Sequence, residues 1–145
     1  MATSEFSSTS NAGSGSVGFR NLTGSSQRNL QLALAAAQAA KDNRGQDVAI
    51  LDLRELTCIF DYFVIASGTS RRQLHAMSDE IDHVLQDELG DKRLGIEGYE
   101  ESSWILLDYG SVVIHLFDQE TRQFYRLEEL WAEAKRVAWE HLGSE

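Results

Sequence analysis

The chain has 145 residues, 42% hydrophobic and 25% charged, which is one domain's worth of sequence with enough apolar material for a packed core. Thirteen Lys and Arg stand against 23 Asp and Glu, a formal charge of -10 that argues against non-specific binding to DNA, RNA or anionic lipid. One cysteine, Cys58, excludes an internal disulfide and a multi-cysteine zinc site and suits a reducing compartment; no apolar run approaches the length of a spanning helix, and the expected location is the cytoplasm.

Residues 1–28 contain 17 Ser, Gly, Thr or Asn and no periodic apolar pattern, so they read as a disordered tail. The tail lacks the apolar stretch of a secretory signal, and its serines with Arg20 and Arg28 give it only a weak likeness to a transit peptide. The folded domain is expected over 29–145, at a formal -11 once Glu5, Arg20 and Arg28 are set aside. Leu30, Leu34, Ala37 and Ala40 then recur at helical spacing in an alanine-rich stretch that ends near Asn43 to Gly45. Val48, Ile50 and Leu51 predict a strand, and Tyr62 to Ala66 a second one, apolar enough to be buried on both faces. Ser70 and Gln73 stand at capping-box spacing before a helix with the stripe Leu74, Met77, Ile81, Val84 or Leu85, and Leu89, stopped by Gly90. A third strand is expected around Leu94 to Glu97. Trp104 to Phe117 predict a hairpin turning at Asp108 to Ser111, with Gly110 placed for a positive φ. A last helix is expected from about Leu127 to His141, with Leu127, Leu130, Trp131, Ala134 and Val137 on one face. The fold class is therefore a small single-domain α/β protein with a mixed sheet packed by helices.

The hairpin's faces differ in chemistry. If Leu107 pairs with Val112, Ile105, Ile114 and Leu116 share an aliphatic face that helices should cover. The other face carries Trp104, Leu106, Val113, His115 and Phe117, with Asp108 at its edge. Both faces are apolar, whereas a half-exposed sheet alternates. The aromatic face is thus either a second core layer or a docking surface of hot-spot composition.

Catalytic patterns are sparse. Ser67-Gly68-Thr69-Ser70, between a buried strand and a helix start, is where a nucleotidyltransferase would hold phosphate, but no Asp-x-Asp or Asp-x-Glu follows on a strand to hold metals. No Walker A, Gly-x-Ser-x-Gly or His-Glu-x-x-His occurs. His75, Asp79 and His83 share a helix face over two turns and read as solvated rather than metal-binding. Cys58, before Ile59-Phe60, reads as a buried or semi-buried structural thiol. Arg71 and Arg72 read as surface charges. No cofactor or metal is expected.

Several spaced motifs in order carry a resemblance. Asp61-Tyr-Phe-Val-Ile-Ala-Ser-Gly-Thr-Ser70 with Arg72-Gln73, then Glu97-Gly98, then Trp104-x-Leu-x-Asp-x-Gly-x-Val-Val-x-His-x-Phe117, then Glu120-x-Arg-x-Phe-Tyr-x-Leu-x-x-Leu-Trp131 are similar to the ribosomal silencing factor (Iojap) family. The likeness covers about residues 30–137; one departure is Ser111, where the family usually has Asp. It implies a nucleotidyltransferase-like fold without catalytic carboxylates, and no enzymatic activity. It implies binding to the large ribosomal subunit through large-subunit ribosomal protein fourteen on the intersubunit face. That contact would block subunit joining and lower translation, and a role in large-subunit maturation comes with it. Carried over by position, the contact residues are Trp104, Leu106, Asp108, Val113, His115 and Phe117. The alternatives are a nucleotidyltransferase-related enzyme and a homodimeric scaffold that self-associates through the same face.

Overall fold

A computed structural model describes residues 24–140. Its sheet has six strands in the order β3-β4-β5-β2-β1-β6, built from β1 (Gln46–Asp52), β2 (Tyr62–Gly68), β3 (Gly95–Glu97), β4 (Trp104–Asp108), β5 (Val112–Asp118) and β6 (Lys135–Arg136). Only β2 and β5 pair parallel; every other neighbouring pair is antiparallel. The sheet is therefore mixed, as the sequence predicts. All seven residues of β2 are buried, which fits its continuous apolar run at the sheet's centre.

Helices α1 (Gly24–Asp42) and α2 (Arg71–Asp82) cover one sheet face. Small alanines let α1 lie close, with Ala33, Ala36, Ala37 and Ala40 wholly buried beside Leu32. Ser70 caps α2 as its spacing predicts: its hydroxyl accepts from the Gln73 N–H at 3.0 Å, while the Gln73 amide oxygen accepts from the Thr69 N–H at 2.6 Å. The same Gln73 amide donates to the Arg44 carbonyl at 2.7 Å, tying α2 to the end of α1. Past Asp82 the helix widens into a π turn, His83–Glu88. That extra residue per turn resolves the ambiguous stripe: Leu85 is buried and Val84 only partly so.

Helix α1 begins at Gly24, five residues before the expected boundary. Ser26 is buried, its hydroxyl accepting from Arg54 at 3.3 Å, and Arg28 donates to the Leu89 carbonyl. The rest of the expected tail, 1–23, lies outside the described residues.

The hairpin closes more tightly than expected. Trp104 pairs with Phe117, Leu106 with His115 and Leu107 with Ile114, a shift of two residues from the expected register. Gly110, at φ 87°, and Ser111 make a two-residue turn, and the Tyr109 N–H donates to the Val112 carbonyl at 2.9 Å. Because side chains alternate with period two, a shift of two keeps both faces intact.

The expected last helix does not form as one piece. Helix α3 (Gln119–Tyr125) follows β5, and α4 (Leu127–Leu130) is a single turn after Arg126, which sits in the left-handed region at φ 50°. Beyond turns at 131–134, Lys135 and Arg136 pair with Asp52 and Leu51 at the edge of β1. Open backbone groups on that edge outweigh the segment's helical propensity.

Candidate functional site: an acid-flanked aromatic margin

The aliphatic hairpin face packs against α1 and α2 as expected, with Ile105, Leu107, Ile114 and Leu116 wholly buried. The aromatic face is a second core layer. Leu106, Val113 and Phe117 join Leu51, Phe60, Phe63, Ile65 and Leu127 in one cluster, with Trp104, Trp131 and Ala134 packed on it. Of the six residues expected on a docking surface, Leu106, Val113, His115 and Phe117 are therefore buried within this chain, and only Trp104 and Asp108 are partly open. The cover comes from the C-terminal segment and the 53–60 loop, since breaking the expected long helix lets Leu127 and Trp131 fold back over β2 and β5.

Trp104 stands at the boundary between this layer and solvent. Its indole packs at a tilt against Phe117 at 4.8 Å and Tyr125 at 4.9 Å between ring centroids. Its Nε1–H donates to His115 Nδ1 at 3.1 Å. His115 is 4% exposed and meets the edge of Phe63 at 4.6 Å. Burial lowers its pKa to about 3, so the ring is neutral near pH 7. With Nδ1 accepting, the proton belongs on Nε2, which is buried with no hydrogen-bond partner among the described residues.

From Trp104 the aromatic surface continues outward. Tyr125 packs edge-on against Phe124 at 5.0 Å, and Phe124 is 78% exposed. Leu130, on α4, is 75% exposed. The six contact residues expected from the family resemblance include none of the three, although the Phe-Tyr-x-Leu-x-x-Leu pattern holds them. The available signal is that Phe124 and Tyr125 stand side by side with no apolar residue one turn before them, where Glu120, Thr121 and Arg122 lie. On the other side of Trp104, β3 and β4 form the sheet margin. Glu97 pairs with Leu106 and Gly95 with Asp108, so both carboxylates lie on the aromatic side and flank Leu106. Asp108 accepts from the Gly110 N–H at 2.8 Å, and Glu97 is exposed.

A loop pinned to α2 sets where Trp104 begins. His75 Nε2 lies 2.8 Å from both the Ser102 hydroxyl and the Tyr99 carbonyl, and its ring stacks on Tyr99 at 4.1 Å. The Tyr99 hydroxyl donates to Asp79 at 3.0 Å, and Arg71 donates to the Glu100 carbonyl at 2.8 Å. His75 and Asp79 thus serve this loop, while His83 pairs with Asp87 and Glu88. Among the described residues no three His, Cys, Asp or Glu gather as a metal set. Cys58 is exposed, contrary to the buried thiol expected. Thr57 Oγ1 accepts the Ile59 N–H at 3.1 Å, and that tight turn sends Ile59 and Phe60 inward and the thiol outward.

Ser67, at the carboxyl end of β2, opens on a polar cavity of about 830 Å³. Its hydroxyl accepts from Arg122 at 2.8 Å; Arg122 pairs in turn with Glu128 at 2.6 Å, and Glu128 accepts from Arg136 at 3.3 Å. The buried serine and Glu128, one of three carboxylates lining the cavity with Asp47 and Glu129, are thus engaged with arginines.

Comparison with known proteins decides the family. The family described as "Ribosomal silencing factor during starvation" matches residues 26–145. The chain belongs to the ribosomal silencing factor family. A member from Halalkalibacterium halodurans, named ribosomal silencing factor RsfS, is 37% identical over 112 residues, 77% of this chain and 95% of its own length. The mouse protein named mitochondrial assembly of ribosomal large subunit protein 1 is 38% identical over 63% of this chain and 41% of its own length. The crystal structure of protein CV0518 from Chromobacterium violaceum matches with a TM-score of 0.68 and 34% identity, over 72% of this chain and 86% of that one. The family match starts at residue 26, which agrees with α1 reaching back beyond Asn29.

Proposed function

We propose that this chain docks on the large ribosomal subunit through large-subunit ribosomal protein fourteen on the intersubunit face, blocks joining of the small subunit and so represses translation. It does so as a binding protein without catalysis, in the cytoplasm, and the same contact serves large-subunit maturation. The observation that carries this is the uncovered margin of the sheet, where Trp104, Tyr125 and Phe124 form a continuous ring contact beside Glu97 and Asp108. Exposed aromatics flanked by carboxylates, on a chain at -10, fit a basic protein surface better than RNA backbone. The names of the relatives support the ribosome as the target: silencing in the bacterial member, assembly of the large subunit in the mouse protein.

The buried residues Leu106, Val113, His115 and Phe117 act here as the support that holds Trp104 in place, and the contact itself falls on the margin. Co-sedimentation with separated ribosomal subunits tests the reading. The chain should pellet with the large subunit and not the small, and added chain should prevent the two from joining. Pelleting with neither, or joining unaffected at saturating chain, overturns it. Self-association of the free chain through the margin would appear as concentration-dependent sedimentation that large subunits do not compete away.

A further inference from the structure

Glu97-Gly98 has no role in the core. Glu97 lies beside Leu106 across the β3–β4 ladder and is exposed, and its side chain makes neither a hydrogen bond nor an ion pair among the described residues. Together with Gly98, Trp104 and Leu106 it lines a notch of about 120 Å³, which has room for one side chain. Only glycine fits at position 98: its φ is 79°, and an added Cβ would lie 2.0 Å from the Trp104 carbonyl oxygen. The walls are an indole, a leucine and bare backbone, and the one charge at the mouth is negative. Next along β3, opposite Asp108, a Cβ added at Gly95 would meet nothing within 4 Å among the described residues.

We infer that this notch receives a single arginine side chain of the docked protein, its stem along Leu106 and its guanidinium between Trp104 and the Glu97 carboxylate. An apolar side chain would leave Glu97 desolvated and unpaired, which disfavours it. Lysine would satisfy the charge, but its ammonium is a strongly hydrated point, whereas a guanidinium lies flat on an aromatic ring and offers two parallel donors to a carboxylate. The inference rests on the docking reading above and adds to it the chemistry of one anchoring residue.

Two measurements separate the notch from that reading. In the first, the full chain is titrated with large ribosomal subunits. Glu97→Lys should weaken binding by about tenfold or more, as truncating or reversing one partner of an enclosed charge pair does. Glu101→Lys, the same charge change on the neighbouring exposed loop, should stay within about twofold. Equal losses in the two variants overturn the notch and leave subunit docking standing. In the second, the free chain is titrated with N-acetyl-arginine amide while the indole N–H resonances are followed by NMR, Trp104→Phe assigning the signal. The Trp104 resonance should shift saturably, the shift should vanish in Glu97→Gln, and N-acetyl-norleucine amide should not reproduce it. No shift, or an equal shift with norleucine, overturns the notch whatever the subunits do. A shift in a chain that fails to bind subunits keeps the notch and removes the ribosome as its source.

Discussion

Trp104 has two structural duties besides its exposure: it packs over Phe117, and among the described residues it supplies the one hydrogen bond of the His115 ring. Its removal is therefore felt in the fold as well as in binding. Trp104→Phe keeps the stacking but strands the His115 Nδ1, and urea unfolding should show a loss of about 1–3 kcal/mol. Trp104→Ala should lose about 2–4 kcal/mol, since a half-open aromatic forfeits less than a core one. A smaller loss would mean that the aromatic layer does not depend on its cover. His115 also imposes a pH dependence. Its folded pKa lies below the ordinary value of 6.5, at about 3, because protonation would put a charge in an apolar site. The unfolded chain thus takes up a proton that the folded chain refuses. The stabilisation is complete above pH 6.5, and it is lost as the pH falls from there toward 3. Between pH 7 and pH 5 the loss should be about 2 kcal/mol, at a limiting slope of about 1.4 kcal/mol per pH unit. Exposed His83, whose pKa the hydrogen bond to Asp87 raises, works in the opposite sense, since its contribution is present at low pH and fades as the pH rises through its raised pKa. The measurement that checks this is the difference in slope between the wild-type chain and His115→Leu in urea unfolding at pH 7, 6 and 5. Equal slopes would show that His115 is not the group responsible.

At the scale of elements, the sequence made legible whatever a local signal encodes. The capped α2, the buried run of β2, the hairpin with both its faces and the mixed sheet follow from caps, periodicity and a turn glycine. The misses share one cause. The ends of α1 and of the last helix, the hairpin register and the cover over the aromatic face are all settled by distant partners. Ser25-Ser26 read as tail because serine-rich composition hides a first turn whose value comes from Arg54 and Leu89, far along the chain. Lys135-Arg136 read as helix because nothing nearby in sequence reveals the open edge of β1. Strand parity is right about which residues share the aromatic face and silent about what folds over it, and the six contact residues carried over from the family resemblance share that silence. The first of these corrections predicts a truncation series. A chain starting at Gly24 should melt within a degree or two of the full chain. One starting at Asn29 loses the buried Ser26 and the Arg28 tie to α2's end, and it should be less stable by about 1–2 kcal/mol, or several degrees in a domain of this size. Equal melting of all three chains would show that the first turn of α1 contributes nothing.

For the molecule as a whole, the sheet separates two kinds of energy. Its α1–α2 side is aliphatic and closed, so its residues hold the fold together. Among the described residues, its other side is closed over β5, β2 and β1 by the 53–60 loop and the 127–134 segment and is more open at the β3–β4 margin and along α3. On the docking proposed above, Phe124 and Glu97 are side chains that the fold hardly uses, whereas Trp104 serves both the contact and the core. The split can be measured. Ile114, wholly buried against α1 and α2, should cost about 2–5 kcal/mol of unfolding free energy on change to Ala, while the fraction that stays folded binds large subunits with unchanged affinity. Phe124, more than three-quarters exposed and touching only Tyr125 among the aromatic rings, should do the reverse on change to Ser. Unfolding should move by less than about 0.5 kcal/mol. Affinity for large subunits should fall by about 1–3 kcal/mol, or roughly 5- to 150-fold, if Phe124 fills a pocket on the partner. Raising the salt should weaken both chains in parallel, because the substitution removes contact area and no charge. Retention of full affinity by Phe124→Ser would confine the contact to the β3–β4 margin, with Trp104 as its outer limit, and remove α3 from the docking surface.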